Sequence, residues 1–248
     1  MTLERAIDVF GEGFGYTRTF THPFEYVRVG KLRVMRDKGR TKGTERVQEI
    51  LAYGLPPDEA VAEIRHYAPS KFFLCAIHDL GVDEVQIKER FKSHGFRLHG
   101  REPMFVRNVN QPLESDQPWK VRRVSTLFDA EAIRKVAGRQ VLDEDIHDGD
   151  AKLRLYGCFD DDEPIGWVRS IRTHGDAAWV SNLHVVEPYR RRGVGSALMA
   201  TMLQEDRKYG VQWSVLLASG AGAKLYPSLG YQQIGLLQMF SPIKSRWT

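Results

Sequence analysis

The chain has 248 residues, 42% of them hydrophobic, and a formal net charge of +4. That length holds one large domain or two small ones with ordinary cores, and so modest a charge is no argument for a nucleic-acid partner. No apolar run reaches the roughly 18 residues a membrane helix needs and the N-terminus shows no signal-peptide core, so the expected protein is cytoplasmic with no membrane partner.

In chain order, the first strand-like run is residues 31–35. It leads into Arg40-Thr41-Lys42-Gly43 and then a segment whose Val47, Ile50 and Leu51 have helical spacing. Basic residues are densest here (Lys31, Arg33, Arg36, Lys38, Arg40, Lys42, Arg46), but Asp37, Glu45 and Glu49 interrupt them and no stacking aromatics interleave. No nucleic-acid surface is expected. Pro56, Pro57 and Pro69 mark loop and helix within 54–70. Cys75 and Cys158 fall in strand-like runs of different halves, the pattern of packed, reduced thiols, and no metal site is expected.

Residues 108–118 are polar, hold two prolines and read as a linker between domains at 1–107 and 119–248. Beyond it come a strand (120–124), a helix (127–140) and an acidic run with Asp143, Glu144, Asp145, Asp148 and Asp150. Strands at 152–159 and 165–172 flank a turn, and a third follows at 177–185. Pro188 helps end that strand, and Tyr189-Arg190-Arg191-Arg192-Gly193-Val194-Gly195 opens a helix with apolar positions Val194, Ala197, Leu198, Met202 and Leu203. Gly210 stops the helix, and a strand (211–217) leads to Leu225-Tyr226-Pro227-Ser228-Leu229-Gly230-Tyr231.

The turn at 190–195 suits an anion. Glycines let the backbone approach closely, and successive N–H groups at a helix start point at the ligand. The dinucleotide fingerprint is half matched, because Leu198 stands where its third small residue belongs, and the Walker loop fails for want of Gly-Lys-Ser/Thr.

Arg190-x-x-Gly193-x-Gly195, followed by Leu225-Tyr226-x-x-Leu229-Gly230-Tyr231, resembles the GNAT superfamily of acetyl-CoA-dependent N-acetyltransferases over roughly 119–243. The resemblance implies acetyl-CoA as co-substrate, a small-molecule or peptide amine as acceptor, and direct transfer in a ternary complex. It implies backbone bonds from Leu183, His184 and Val185 to the pantetheine arm, and pyrophosphate binding by Arg190, Arg191, Arg192, Gly193, Val194, Gly195 and Ser196. Tyr226 would stand beside the sulfur and protonate the departing thiolate as general acid. Ser219 occupies a position where the family often has Asn, and a serine there still caps a helix and reaches a polar group. Residues 177–185 hold no Asp or Glu, although the family often has a carboxylate base on that strand. His184, whose ordinary pKa suits proton abstraction, is the candidate base. Asp143, Glu144 and Asp145 fall where the family's acceptor site is lined, and an anionic wall would steer a protonated amine. The missing carboxylate and Ser219 leave an alternative open, a CoA-binding regulatory or scaffold protein without turnover.

The first half carries a faint copy of the same pattern. Phe91-x-x-x-Gly95-Phe96 and Met104-Phe105 match Tyr226-x-x-x-Gly230-Tyr231 and Met239-Phe240 at an offset of 135. Arg40 to Gly43 and the segment after it shadow the cradle at an offset of 150, which implies about fifteen extra residues around 54–70. Glu45 stands at the second glycine's place and Phe91 at the tyrosine's, so this copy is expected to be non-catalytic and to pack beside the acceptor cleft. The expected fold class is α/β (α+β), tandem GNAT-like mixed sheets flanked by helices, with a degenerate N-terminal copy.

Overall fold

The computed structural model describes residues 1–40, 44–111, 113, 118–138, 151–220 and 222–243. The chain forms two compact units that interleave in sequence. One comprises Met1–Phe105, Leu217–Lys224 and Gln233–Thr248, and the other Val106–Leu216 and Leu225–Gln232.

The first unit opens with α1 (Leu3–Arg18), capped by Thr2, whose hydroxyl accepts from the Arg5 N–H at 3.3 Å. A hairpin of β1 (Phe24–Val29) and β2 (Leu32–Asp37) follows, then β3 (Gln48–Tyr53), α2 (Pro57–Tyr67), β4 (Phe72–Asp79), α3 (Glu84–Ser93) and β5 (Phe96–Asn108). The three strands β1 to β3 are antiparallel and β3 runs parallel to β4. The chain's last strand, which we number β11 (Gln232–Pro242), pairs antiparallel with β4 and lies between it and β5. Alternation along the strands divides the unit into two faces. Leu32, Val34, Ile50, Ala52, Leu74 and Ala76 point to α2 and α3, forming a core with Ile64, Phe91, Phe96 and Phe240. Arg33 points the other way and reaches Asp8 on α1 at 2.9 Å. There, Gly11 of α1 sits so close to the Tyr26 ring that a Cβ would overlap it.

The second unit comprises β6 (Val121–Arg123), α4 (Leu127–Ala137), β7 (Leu153–Asp160), β8 (Glu163–Arg172), β9 (Ala177–Val185), α5 (Val194–Lys208) and β10 (Trp213–Leu217). Its strands are ordered β6-β7-β8-β9-β10, antiparallel up to β9 and parallel between β9 and β10. Ala130 and Ile133 of α4 pack on Leu155, Phe159 and Trp167. On the opposite face α5 lies against Gly166, where an added Cβ would meet Val194 and Leu198 at 3.1 Å.

One order of elements occurs in both units: helix, three antiparallel strands, helix, parallel strand, as α1, β1 to β3, α2 and β4 in the first and α4, β7 to β9, α5 and β10 in the second. This corrects one sequence expectation. Residues 48–53, expected to be helical from Val47, Ile50 and Leu51, form β3, because both faces of that strand are covered and its apolar run is continuous. The helix equivalent to α5 is α2, which starts at Pro57 against Val194, an offset of 137. No fifteen-residue insertion is needed, and Glu45 precedes a strand rather than opening a helix. Residues 41–43 lie outside the described residues.

The later part of the repeat keeps its register. Gly95 and Gly230 both take left-handed backbone, at φ 84° and 75°. Phe91 and Phe96 meet edge to face at 6.0 Å between ring centroids, and Tyr226 and Tyr231 do so at 5.6 Å.

Candidate functional site

The site begins where β9 and β10 part. Their parallel register covers only three positions, Trp213 to Val215 against Ala177 to Trp179, although β9 runs on to Val185. A parallel ladder that stops leaves unpaired N–H and C=O groups along the rest of β9, a ready edge for an extended ligand. Opposite, Trp167 pairs with His184 and Arg169 with Ser181, so β9 carries one extra residue around Asn182 and Leu183. Asn182 takes left-handed backbone at φ 56°. The bulge turns the peptide groups at the mouth of the splay out of ladder register.

Beyond β9 the short 3₁₀ turn Glu187–Tyr189 leads into the arginine run. Arg191 and Gly193 both adopt positive φ, 63° and 84°, so the loop curls into α5 as a concave backbone nest. The N-terminus of α5 has no side-chain cap and no acidic residue in its first turn, leaving the Val194, Gly195 and Ser196 N–H groups free of helical partners. With Arg190, Arg191 and Arg192 exposed around it, the dipole, the donor geometry and the charge all suit an anion. Packing fixes the loop: Arg190 Nε donates to the Val185 carbonyl at 3.0 Å, Tyr189 Oη to Asp160 at 2.8 Å and Trp119 Nε1 to the Arg192 carbonyl at 2.6 Å.

At the far end of α5, fully buried Asp206 pairs with fully buried Arg154 of β7 and accepts from Ser170 Oγ at 2.9 Å. Such a pair fixes the helix on the sheet, and removing one partner strands the other charge.

Tyr226 begins the 3₁₀ turn Tyr226–Leu229. The turn sits over the start of α5, since a Cβ on Gly195 would lie 3.3 Å from Leu225. The structure thus gathers Leu183, His184, Val185, the 190–196 loop and the Tyr226 turn in one unit. Burial pushes the Tyr226 phenol up to about 12, so it holds its proton at neutral pH. The His184 ring stacks on Trp167 at 4.5 Å and 18°, and burial, followed by the Arg190 charge, lowers its pKa and keeps it neutral.

Ser219 lies in the segment that belongs to the first unit, where its hydroxyl accepts from the Gly222 N–H at 3.3 Å. Asp143, Glu144 and Asp145 fall outside the described residues. Among the described residues there is no group of three or more His, Cys, Asp or Glu side chains placed to hold a metal, and no helix long and apolar enough to cross a membrane. Sequence reasoning passed over Asn182, Trp119 and the Arg154–Asp206 pair. Only Asn182 left a signal, as a residue tolerant of left-handed backbone inside an apolar strand.

A strand splay, a bulged strand, an uncapped helix start and a tyrosine turn over it thus stand together in the second unit. Residues 151–233 match the sequence profile of the acetyltransferase (GNAT) domain, and the C-terminal half carries a domain of that family. The whole chain has the fold of a GCN5-related N-acetyltransferase from Kribbella flavida, with a TM-score of 0.67, 18% identity and coverage of 98% of this chain and 96% of that one. A GCN5-related N-acetyltransferase from Sphaerobacter thermophilus is similar at TM-score 0.56 and 15% identity, over 85% of this chain and 76% of that one. A tandem GNAT protein from the clavulanic acid biosynthesis pathway superposes at TM-score 0.52 and 10% identity, over 87% and 81% of the two chains. No curated protein matches the sequence.

Proposed function

We propose that the protein is an N-acetyltransferase that moves the acetyl group of acetyl-CoA to an amine by direct transfer, and that its second unit carries the chemistry. The observation that carries this reading is the splay of β9 from β10 directly beside the uncapped start of α5. The second half of β9 offers an edge for the pantetheine amides, and the nest for the pyrophosphate follows it in the chain.

In this reading the amine nitrogen attacks the thioester carbonyl carbon, the C–N bond forms and the C–S bond breaks. The Tyr226 phenol gives its proton to the departing sulfur, and the amine loses a proton to neutral His184 directly or through water. Backbone N–H groups at the Asn182 bulge polarise the thioester carbonyl. Holding both reactants on one scaffold supplies the rest of the rate.

The test is acetyl-CoA-dependent release of free thiol across a panel of small amines and peptides. We expect turnover with at least one amine, and for Tyr226→Phe a kcat lower by about 10²-fold with an acetyl-CoA dissociation constant within about twofold. Because burial holds the phenol near 12, kcat should show no alkaline fall from this group below about pH 11. Tight acetyl-CoA binding without transfer to any acceptor would instead mark a CoA-binding regulator, and a Tyr226→Phe enzyme as fast as the parent would remove the acid assignment.

A further inference from the structure

We propose that Arg107 is a positioning residue for this reaction: its guanidinium fixes the turn that carries Tyr226 and so sets where the phenol stands. The inference rests on Tyr226 being the proton donor.

Arg107 lies near the end of β5 and is only 4% exposed. Its Nη1 donates to the carbonyl of Leu229, the last residue of the Tyr226 turn, and its Nη2 donates to the Gln111 carbonyl at 2.7 Å. A single 3₁₀ turn leaves its terminal carbonyls without internal partners, so an outside donor must satisfy them when they are buried. The guanidinium does this with one donor of its planar fork while the other holds the Gln111 carbonyl, which fixes direction as well as distance.

The next residue is shaped around this contact. Gly230 has φ 75°, a conformation that disfavours any side chain, and a Cβ there would overlap the Arg107 guanidinium. Its N–H closes the turn onto the Pro227 carbonyl at 3.0 Å, and the Tyr231 N–H reaches the Tyr226 carbonyl at 3.1 Å. Tyr231 supplies a second strut, with its ring edge to face on Tyr226 and its hydroxyl 2.6 Å from Ser214 Oγ on β10. The turn is therefore held from both ends, and Arg107 supplies the hold at the Leu229 end. Burial lowers the pKa of this guanidinium, yet an arginine starts so high that it stays charged. A cation in so dry a place is costly unless hydrogen bonds offset it, as those to the Leu229 and Gln111 carbonyls do.

The experiment compares Arg107→Met and Arg107→Lys in the full-length chain, each alone and combined with Tyr226→Phe, by steady-state kinetics and by calorimetric acetyl-CoA binding. We expect Arg107→Met to lower kcat by about 10- to 100-fold while the acetyl-CoA dissociation constant moves less than about twofold, because the cradle at α5 has its own anchors. Arg107→Lys, which keeps the charge but not the planar fork, should recover part of the loss. In the Tyr226→Phe background Arg107→Met should change kcat by less than about twofold, because the group it positions is gone. Full additivity in that background, or an unchanged kcat in folded Arg107→Met, overturns the proposal while leaving the acid role of Tyr226 intact. If Tyr226→Phe alone keeps the parent rate, the acid role fails and this proposal with it. Should Arg107→Met not fold, Arg107→Lys carries the same double-mutant comparison.

Discussion

The two copies differ at the residue scale by a hydroxyl in a shared geometry. Phe91, in the last turn of α3, and Tyr226, at the start of its 3₁₀ turn, are each edge to face with the aromatic residue five positions on, yet only the tyrosine has a proton to give. This difference was legible in the sequence, because the 135-residue offset aligns both aromatic pairs and both glycines. A second residue of the first unit shows what cannot be read from sequence, a buried carboxylate. Glu49 of β3 bonds Arg18 of α1 at 2.7 Å, and its side chain is 12% exposed. Burial outweighs the Arg18 charge and pushes the carboxyl up to about 7 from an ordinary 4.5. Between those values the folded chain binds more protons here than the unfolded one, so stability falls as pH rises from 4.5 to about 7 and stays lower above it. The uncharged Glu49→Gln variant avoids this loss. Its thermal unfolding midpoint should match the parent's near pH 4.5 and exceed it at pH 8, by a margin equivalent to about 1–3 kcal/mol. An equal midpoint at pH 8 would show that the Arg18 pair fully compensates the burial.

At the element scale the cradle is a loop whose shape is enforced from outside. In a trans peptide the C=O and N–H point in opposite directions, so the bond from Trp119 to the Arg192 carbonyl aims the Gly193 N–H away from the indole. Tyr189 reinforces the arrangement, with its ring edge to face with Trp119 at 6.0 Å and 5.8 Å from the Arg192 guanidinium. Trp119→Phe keeps an aromatic ring and removes the donor. It should weaken acetyl-CoA binding by about 1 kcal/mol, roughly fivefold, and leave kcat at saturation nearly unchanged, because the reacting end of the cleft is untouched. An unaltered dissociation constant in equilibrium titration would show that the loop holds its shape alone. The loop proposed as the cradle was legible as a glycine-punctuated turn into a helix, because glycine carries its role in backbone geometry. Trp119 was not, since its partner lies 73 positions away. Helix α1 left little trace, because Gly11, Gly13 and Gly15 resemble loop residues until the Tyr26 ring is seen against Gly11.

At the scale of the whole molecule, one order of elements occurs twice, and the copies differ at the strand pair and the helix entrance on which the proposed CoA site rests. In the second unit β9 and β10 pair over three positions and then part. In the first, β3 and β4 stay paired over all six residues of β3, from Gln48 with Phe72 to Tyr53 with Ile77. The closed ladder leaves no edge for a pantetheine arm. The helix entrance differs as well, because eight residues separate β9 from α5 while three, ending in Pro56, separate β3 from α2. Pro57 at the first helical position has no N–H, and Asp58 and Glu59 follow it in the first turn. An anion therefore meets missing donors and two carboxylates where the second unit offers free N–H groups and arginines. Glu45, suspected from sequence of spoiling the first cradle, is not at a helix start at all, and the shorter loop with its prolines is the physical reason. The consequence is a stoichiometry. Calorimetric titration of the full chain should find one acetyl-CoA per polypeptide, and Gly195→Asp, which puts a carboxylate in the open cradle, should abolish binding rather than halve it. A second equivalent of comparable affinity surviving in Gly195→Asp would mean that the first unit opens its β3–β4 ladder in solution, and the assignment of chemistry to one copy would fall.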